Sequence, residues 1–303
     1  MITKNIDTVM MCCASCGQAE IDDIKLKDCD DGCDLVKYCG DECQENHREQ
    51  HEQECKKRKA ELHDKQLFTQ SDTSYMGDCP LCFLPLSIDL RKSALMTCCC
   101  KIICKGCCYA NQKRESEGGL EHRCAFCREP FPESQEEVDK RVMERIKKHN
   151  DPVAMTNMAK KHFAKGDYGN ALEYYTKAVE LGDVDAHACL ASFYGQGNGV
   201  DKDMKKTYYH LELAAIGGHP LARFLLGAHE IENDRKERAA KHLIIAANLG
   251  HDDSLTLIKD LFVEGIVSKD EYAAALRGYQ TAVNETKSAE REEGEAFYAR
   301  RRS

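Results

Sequence analysis

Residues 79–127 read CPLCFLPLSIDLRKSALMTCCCKIICKGCCYANQKRESEGGLEHRCAFC. The stretch contains Cys79-x2-Cys82, the triplet Cys98-Cys99-Cys100, Cys104-x2-Cys107 and Cys124-x2-Cys127. A CxxC pair turns two sulfurs toward one point across a tight knuckle, so each pair can supply half of a tetrahedral zinc site. Sixteen residues separate Cys82 from Cys99, and sixteen separate Cys107 from Cys124, so pairs can combine across the spacers. A module this small buries too little apolar surface to hold itself together. Structural zinc contributes an apparent ~10–16 kcal/mol per site in finger peptides and replaces the missing core.

Working outward, the chain has 303 residues, and eighteen of its nineteen cysteines precede residue 128, leaving Cys189 alone beyond. This asymmetry predicts a metal-built front and a back that folds on an ordinary apolar core. Disulfides are the competing use of so many thiols. The first ten residues, MITKNIDTVM, hold no apolar run of secretory type, which points to reduced thiols in the cytoplasm or nucleus. No stretch reaches eighteen uninterrupted apolar residues, so no membrane-spanning helix is expected. A formal charge of −9 and a pI near 5.8 speak against a nucleic-acid partner.

A second cysteine-rich module precedes the first. Cys13-x2-Cys16, Cys29-x3-Cys33, Cys39-x3-Cys43 and His51-x3-Cys55 supply eight ligands, enough for two zincs. His51 and Cys55 are four apart and share one face of a helix. Cys12 is read as a spare thiol. Residues 56–68 continue the helix, and residues 71–77 read as a linker.

After Pro132 the texture changes. Charged residues alternate through a helical bridge, and the chain then repeats itself. Ala178-Val-Glu-Leu-Gly182, Ala214-Ala-Ile-Gly-Gly218 and Ala246-Ala-Asn-Leu-Gly250 recur at intervals of 36 and 32 residues, with Asn150 a further 32 residues back. Glycine and asparagine readily take the left-handed conformation that ends a helix, so each should cap a helical hairpin. Ala171, Ala178, Ala214, Ala215, Ala246 and Ala247 would let helices approach closely, with Phe163, Tyr175, Phe193, Phe224 and Leu225 filling the gaps. Ser268 and Glu271 form a capping box that opens the last long helix. The tail beyond Ala289 is charge-rich and expected to fray, with Phe297 and Tyr298 as potential anchors.

Three resemblances follow. The Tyr38-Cys39 dipeptide, Cys43-Gln44 and the closing His-x3-Cys resemble the MYND finger, implying one zinc on Cys13, Cys16, Cys39 and Cys43 and another on Cys29, Cys33, His51 and Cys55. Residues 79–132 resemble the RING finger. That resemblance implies one zinc on Cys79, Cys82, Cys104 and Cys107, and a second on Cys99, Cys124, Cys127 and one more ligand. Lys101 stands where a histidine ligand usually does, and an ammonium has no lone pair to offer. Cys100 is taken in its place, with Cys98 and His122 as alternatives. Leu81 and Arg128 match positions at which RING fingers meet a ubiquitin-conjugating enzyme and its ubiquitin, while Ala125 replaces a usual proline and the chain has no tryptophan. The 36-residue period, the Gly195–Val200 loop and the Ala-Ala-x-x-Gly close resemble Sel-one-like, tetratricopeptide-related repeats.

The expected fold is therefore two small cross-brace zinc modules with little regular structure, followed by an all-α helical-hairpin solenoid. The expected divisions are 1–70, 71–135, a bridge at 136–150, repeats at 151–288 and a tail at 289–303. The cofactor is zinc, and the partners are proteins or peptides held by fingers and repeats. The leading functional reading is a ubiquitin-ligase scaffold that recruits a conjugating enzyme through Leu81 and Arg128. The alternative is a non-catalytic interaction adaptor. No P-loop, dinucleotide fingerprint or nucleophile elbow is present, and the histidines of the repeats lack clustered partners.

Overall fold

The computed structural model describes residues 12–20, 25–71 and 74–300. The N-terminal decapeptide, and Asp72 and Thr73 of the expected linker, lie outside the described residues. The chain divides into two compact units, residues 1–69 and 70–303.

In the first unit a two-residue strand β1 (Lys27–Asp28) pairs antiparallel with β2 (Lys37–Tyr38), and α1 (Asp41–Leu67) follows. Asp41 and Glu42 sit in the first turn of α1 and complement its dipole. The helix has no apolar stripe, and its buried residues are His51, Cys55 and Leu67. The unit's core consists chiefly of Cys13, Cys29, Cys33 and Cys55, with Leu26 and Tyr38. Ligand atoms occupy the place where a larger domain would put leucines.

The second unit begins with the other finger. Its hairpin pairs β3 (Ser93–Met96) with β4 (Lys101–Cys104) in the register Ser93 to Cys104 and Met96 to Lys101, and α2 (Lys105–Glu117) leaves directly from β4. Helix α3 (Gln135–His149) leads into four hairpins. These are α4 (Pro152–Ala164) with α5 (Tyr168–Glu180), α6 (Val184–Gln196) with α7 (Met204–Ile216), α8 (Pro220–Glu232) with α9 (Lys236–Asn248), and α10 (Asp253–Val263) with α11 (Lys269–Glu285).

The repeat boundaries follow from backbone chemistry. Asn150, Gly182, Gly218 and Gly250 all have positive φ, between 51° and 92°, and each is followed within two residues by a polar N-cap. Asp151, Asp183 and His219 accept from the amides of Ala154, Ala186 and Ala222. Chain reversal and helix initiation are thus written into adjacent residues. The Ser268–Glu271 capping box is present in full.

The six alanines singled out by the repeat are fully buried, and Tyr175 and Phe193 fill the spaces beside them. Phe163 and Phe224 are only partly buried, and Leu225 is exposed, because its position on α8 turns outward.

The charged tail forms a helix, α12 (Ala289–Arg300), packed on α2 rather than frayed. The crossing is glycine on glycine. A Cβ on Gly106 would come within 2.7 Å of Arg291 Cα, and one on Gly294 within 2.7 Å of the Lys105 carbonyl oxygen. Phe297 lies 4.8 Å from the Tyr109 ring, and the Tyr298 hydroxyl donates to Gln112.

The finger also rests on the repeats. Tyr75 stacks on His219 at 4.3 Å and donates its amide to the Gly218 carbonyl, and Asn248 donates to Gln70. The second finger, the repeats and α12 form one body, with no break near residues 135–150.

Candidate metal centres

Three knuckles share one backbone design. Around Cys13/Cys16, Cys79/Cys82 and Cys124/Cys127, isolated bridges join Cys12 to Ala19, Asp78 to Pro85 and Arg123 to Pro130. The amide of each first cysteine donates to the carbonyl five residues on, at Gln18, Leu84 and Glu129. The residue after each second cysteine is left-handed: Gly17 at φ 75°, Phe83 at 58° and Arg128 at 65°. This reversal turns both sulfurs to the same side.

Four donor sets result among the described residues. They are Cys13, Cys16, Cys39 and Cys43; Cys29, Cys33, His51 and Cys55; Cys79, Cys82, Cys104 and Cys107; and Cys98, Cys99, Cys124 and Cys127, each with all its ligand atoms within 4.8 Å of one another. In both fingers the pairs alternate between two centres, which is a cross-brace.

Zinc bound to sulfur at about 2.3 Å in a tetrahedron requires sulfurs about 3.8 Å apart. The recorded S···S separations include 3.6 Å for Cys16–Cys39, 3.9 Å for Cys29–Cys55, 3.8 Å for Cys82–Cys104 and 3.9 Å for Cys99–Cys124. His51 Nε2 lies 3.1 Å from Cys33 Sγ. The residues fit zinc, and four protein donors fill its tetrahedron, the mark of a structural site.

Electrostatics agree with the fit. In the second finger a hydrogen bond from Cys104 lowers the Cys79 thiol to about 4, and one from Cys98 lowers Cys99 to about 5, while the donating thiols are pushed upward. Four thiolates together require a divalent cation.

The fourth ligand of the last centre is corrected. Cys98 lies in the set, with Sγ 3.3 Å from Cys127 Sγ, and Cys100 does not. The amides of Cys99 and Cys100 both donate to the Met96 carbonyl, and Cys100 takes φ 51°. The turn brings Cys98 and Cys99 to Cys124 and Cys127 and sends the Cys100 side chain into a different cluster with Val142, Ala154 and Met158. His122 instead lies 3.4 Å from Glu115, and Cys108, which the spacing did not single out, packs in the finger's apolar core.

Leu81 is partly exposed on its knuckle. Arg128 is held from within: its guanidinium donates to Asn111 at 2.7 Å and to Glu115 at 2.9 Å. Glu115 is fully buried, yet its pKa stays below the ordinary value. Burial pushes it up, but the Arg123 amide and the side chains of His122, Asn111 and Arg128 outweigh that push.

Sequence reasoning missed Arg291. This α12 residue is 5% exposed, and its guanidinium donates to the carbonyls of Pro85, Leu84 and Thr286 and to Cys82 Sγ. An arginine flanked by glutamates in a charged tail carries no local mark of such a role.

Comparison with known proteins agrees with this architecture. Residues 13–55 match the MYND finger family, and residues 152–183, 184–219 and 221–251 match the Sel1 repeat. The front of the chain therefore carries a zinc-binding MYND finger, and the back is a Sel1-repeat solenoid. An uncharacterized protein of Neisseria meningitidis, NMB1327, is 29% identical over 37% of this chain, and the match spans about a third (32%) of that relative's length. Among solved structures, a Sel1 repeat protein from Oxalobacter formigenes matches with TM-score 0.44 and 24% identity, covering 50% of this chain and 47% of that one. The protective antigen c5321 of uropathogenic Escherichia coli matches with TM-score 0.38 and 19% identity, covering 56% and 37%. No helix among the described residues is long and apolar enough to cross a membrane.

Proposed function

We propose that this protein is a zinc-built adaptor in which the MYND finger, the second finger and the Sel1 repeats each offer a surface to another protein. The observation that carries the reading is the closure of all four donor sets, which assigns zinc to architecture, alongside modules of a kind used for protein interaction. Its expected site of action is the cytoplasm or nucleus. Crosslinking in cells followed by module-specific variants tests it. Leu81→Asp with Phe126→Asp should remove one set of partners, and charge reversal of exposed repeat residues should remove another. Partners indifferent to every such variant would overturn the adaptor.

A second reading makes the 79–127 finger a ubiquitin-ligase module. Leu81 and Phe126 favour it, because both are exposed apolar side chains on the knuckles that precede and follow α2 in the chain, and such residues suit an apolar contact with a conjugating enzyme. Such a ligase acts by holding the enzyme and its thioester in a reactive pose, with no nucleophile of its own. The full chain, loaded with zinc and assayed against a panel of conjugating enzymes, decides it. No chains formed with any enzyme would leave the adaptor reading alone.

A further inference from the structure

We propose that the cavity between the second finger and the first two repeats is a receptor for a lysine side chain presented by a peptide segment of a partner protein. The proposal deepens the adaptor reading and rests on it.

The cavity has a volume of about 470 Å³, within the usual range for ligand pockets. Leu95 and Ile102 of the β3–β4 hairpin form one wall, and Val153 and Val184 of α4 and α6 form the other. Walls of this kind suit the methylene stem of a long side chain.

The polar groups are unbalanced. Lys160, Asp183 and Asp185 all line the cavity, giving two carboxylates to one ammonium. That ammonium is already engaged, since Lys160 pairs with Asp185, which also faces His219 Nε2 at 3.8 Å. Asp183 makes no such direct ion pair. One of its oxygens caps α6 by accepting from the Ala186 amide at 2.7 Å, and no cation pairs with it among the described residues. Burial and the neighbouring charge of Asp185 lift its pKa above the ordinary carboxylate value, and the more distant Lys160 offsets this only in part.

Beside it, Thr156 is 3% exposed and lines the same cavity. Its hydroxyl lies near enough to Asp183 to ease that charge slightly, but makes no hydrogen bond of ordinary geometry. A buried hydroxyl left in this state is unfavourable and favours a donor or acceptor that would complete it. A primary ammonium, with three donors on one nitrogen, would satisfy Asp183 and Thr156 together. The walls and the floor thus call for one apolar stem ending in one small cation.

The test uses the zinc-loaded full chain. Random heptapeptides displayed on phage are selected on it, with Asp183→Asn protein as the counter-selector; asparagine keeps the helix cap and so preserves the fold. Ser93→Arg, which fills the cavity from the hairpin side, is the second variant.

The expected result is peptides that carry lysine and bind at least tenfold more weakly to either variant. The same peptides should weaken at least tenfold when that lysine becomes norleucine, and less when it becomes arginine. Peptides that bind both variants unchanged would keep the adaptor but overturn this site. Selection of peptides without lysine, recovery of none, or binding of free 1,5-diaminopentane with no lysine peptide would overturn it as well.

Discussion

Arg291 of α12 sets its Nη2 3.3 Å from the Sγ of Cys82, a residue 209 positions earlier in the chain. The same guanidinium holds the carbonyls of Leu84 and Pro85, which follow Cys82 in the knuckle. A cation here disperses thiolate charge and fixes the loop that aims the sulfur. Arg291→Gln should leave buried carbonyls without a donor, costing roughly 2–3 kcal/mol. It should also speed zinc transfer from the second finger to a chromogenic chelator and open α12 to protease. Unchanged release kinetics with an equally protected tail would show that Arg291 merely fills space.

The ligand assignment at the last centre is testable by counting metal. The wild-type chain should carry four zincs in native mass spectrometry. Cys98→Ser should reduce the count to three, because serine is a poor ligand for zinc in this setting. Cys100→Ser should retain four and instead lower the melting temperature, since it puts a hydroxyl among Val142, Ala154 and Met158. The reverse pattern would restore Cys100 as ligand.

Arg128 combines two separable contributions. Its side chain offsets buried Glu115, and its backbone occupies a left-handed position that glycine adopts freely. Arg128→Ala should destabilise the finger by about 1–2 kcal/mol, the discounted value for a pair whose arginine side chain is 44% exposed. Arg128→Gly should recover up to about 1 kcal/mol of that through its backbone. Adding Glu115→Gln to Arg128→Ala should recover part of the remainder. Chemical denaturation of the three variants checks the order. Any loss of ubiquitin transfer in Arg128→Ala is informative only beside these data.

The repeats should show an acid-sensitive contribution from His210. Its Nδ1 lies 3.0 Å from His187 Nδ1, its ring stacks on Tyr194, and Lys206 sits over that tyrosine. Burial, then the charges of His187 and Lys206, lower its pKa to about 4. An unfolded histidine titrates near 6.5, so between the two values the unfolded chain binds a proton that the folded chain refuses. Stability from this site is therefore complete above about 6.5 and lost as pH falls toward 4, by about 1–2 kcal/mol after allowing for partial exposure. His210→Phe should flatten that slope. Comparing the two proteins at each pH cancels the zinc loss common to both. An identical slope in His210→Phe would remove the assignment.

Much of this architecture is local chemistry and was legible along the chain. A CxxC pair builds its knuckle from eight consecutive residues, so Cys13/Cys16, Cys79/Cys82 and Cys124/Cys127 announce themselves. Asn150, Gly182, Gly218 and Gly250 mark the hairpin ends because the left-handed conformation belongs to a single residue and favours those types.

What stayed illegible depended on direction and distance. Three consecutive cysteines look alike in sequence, and only the turn at Met96–Cys100 decides that Cys98 joins Cys124 and Cys127 while Cys100 faces Val142. Arg128 matched a partner-facing position, yet α2 brings Glu115 and Asn111 within its reach. Most of all, the charged tail showed only Phe297 and Tyr298 as anchors and nothing of the helix they would meet. It is held by close glycine packing at Gly106 and Gly294 and by the hydrogen bonds of Arg291, interactions that exist only once residues more than 180 positions apart have been brought together by the fold.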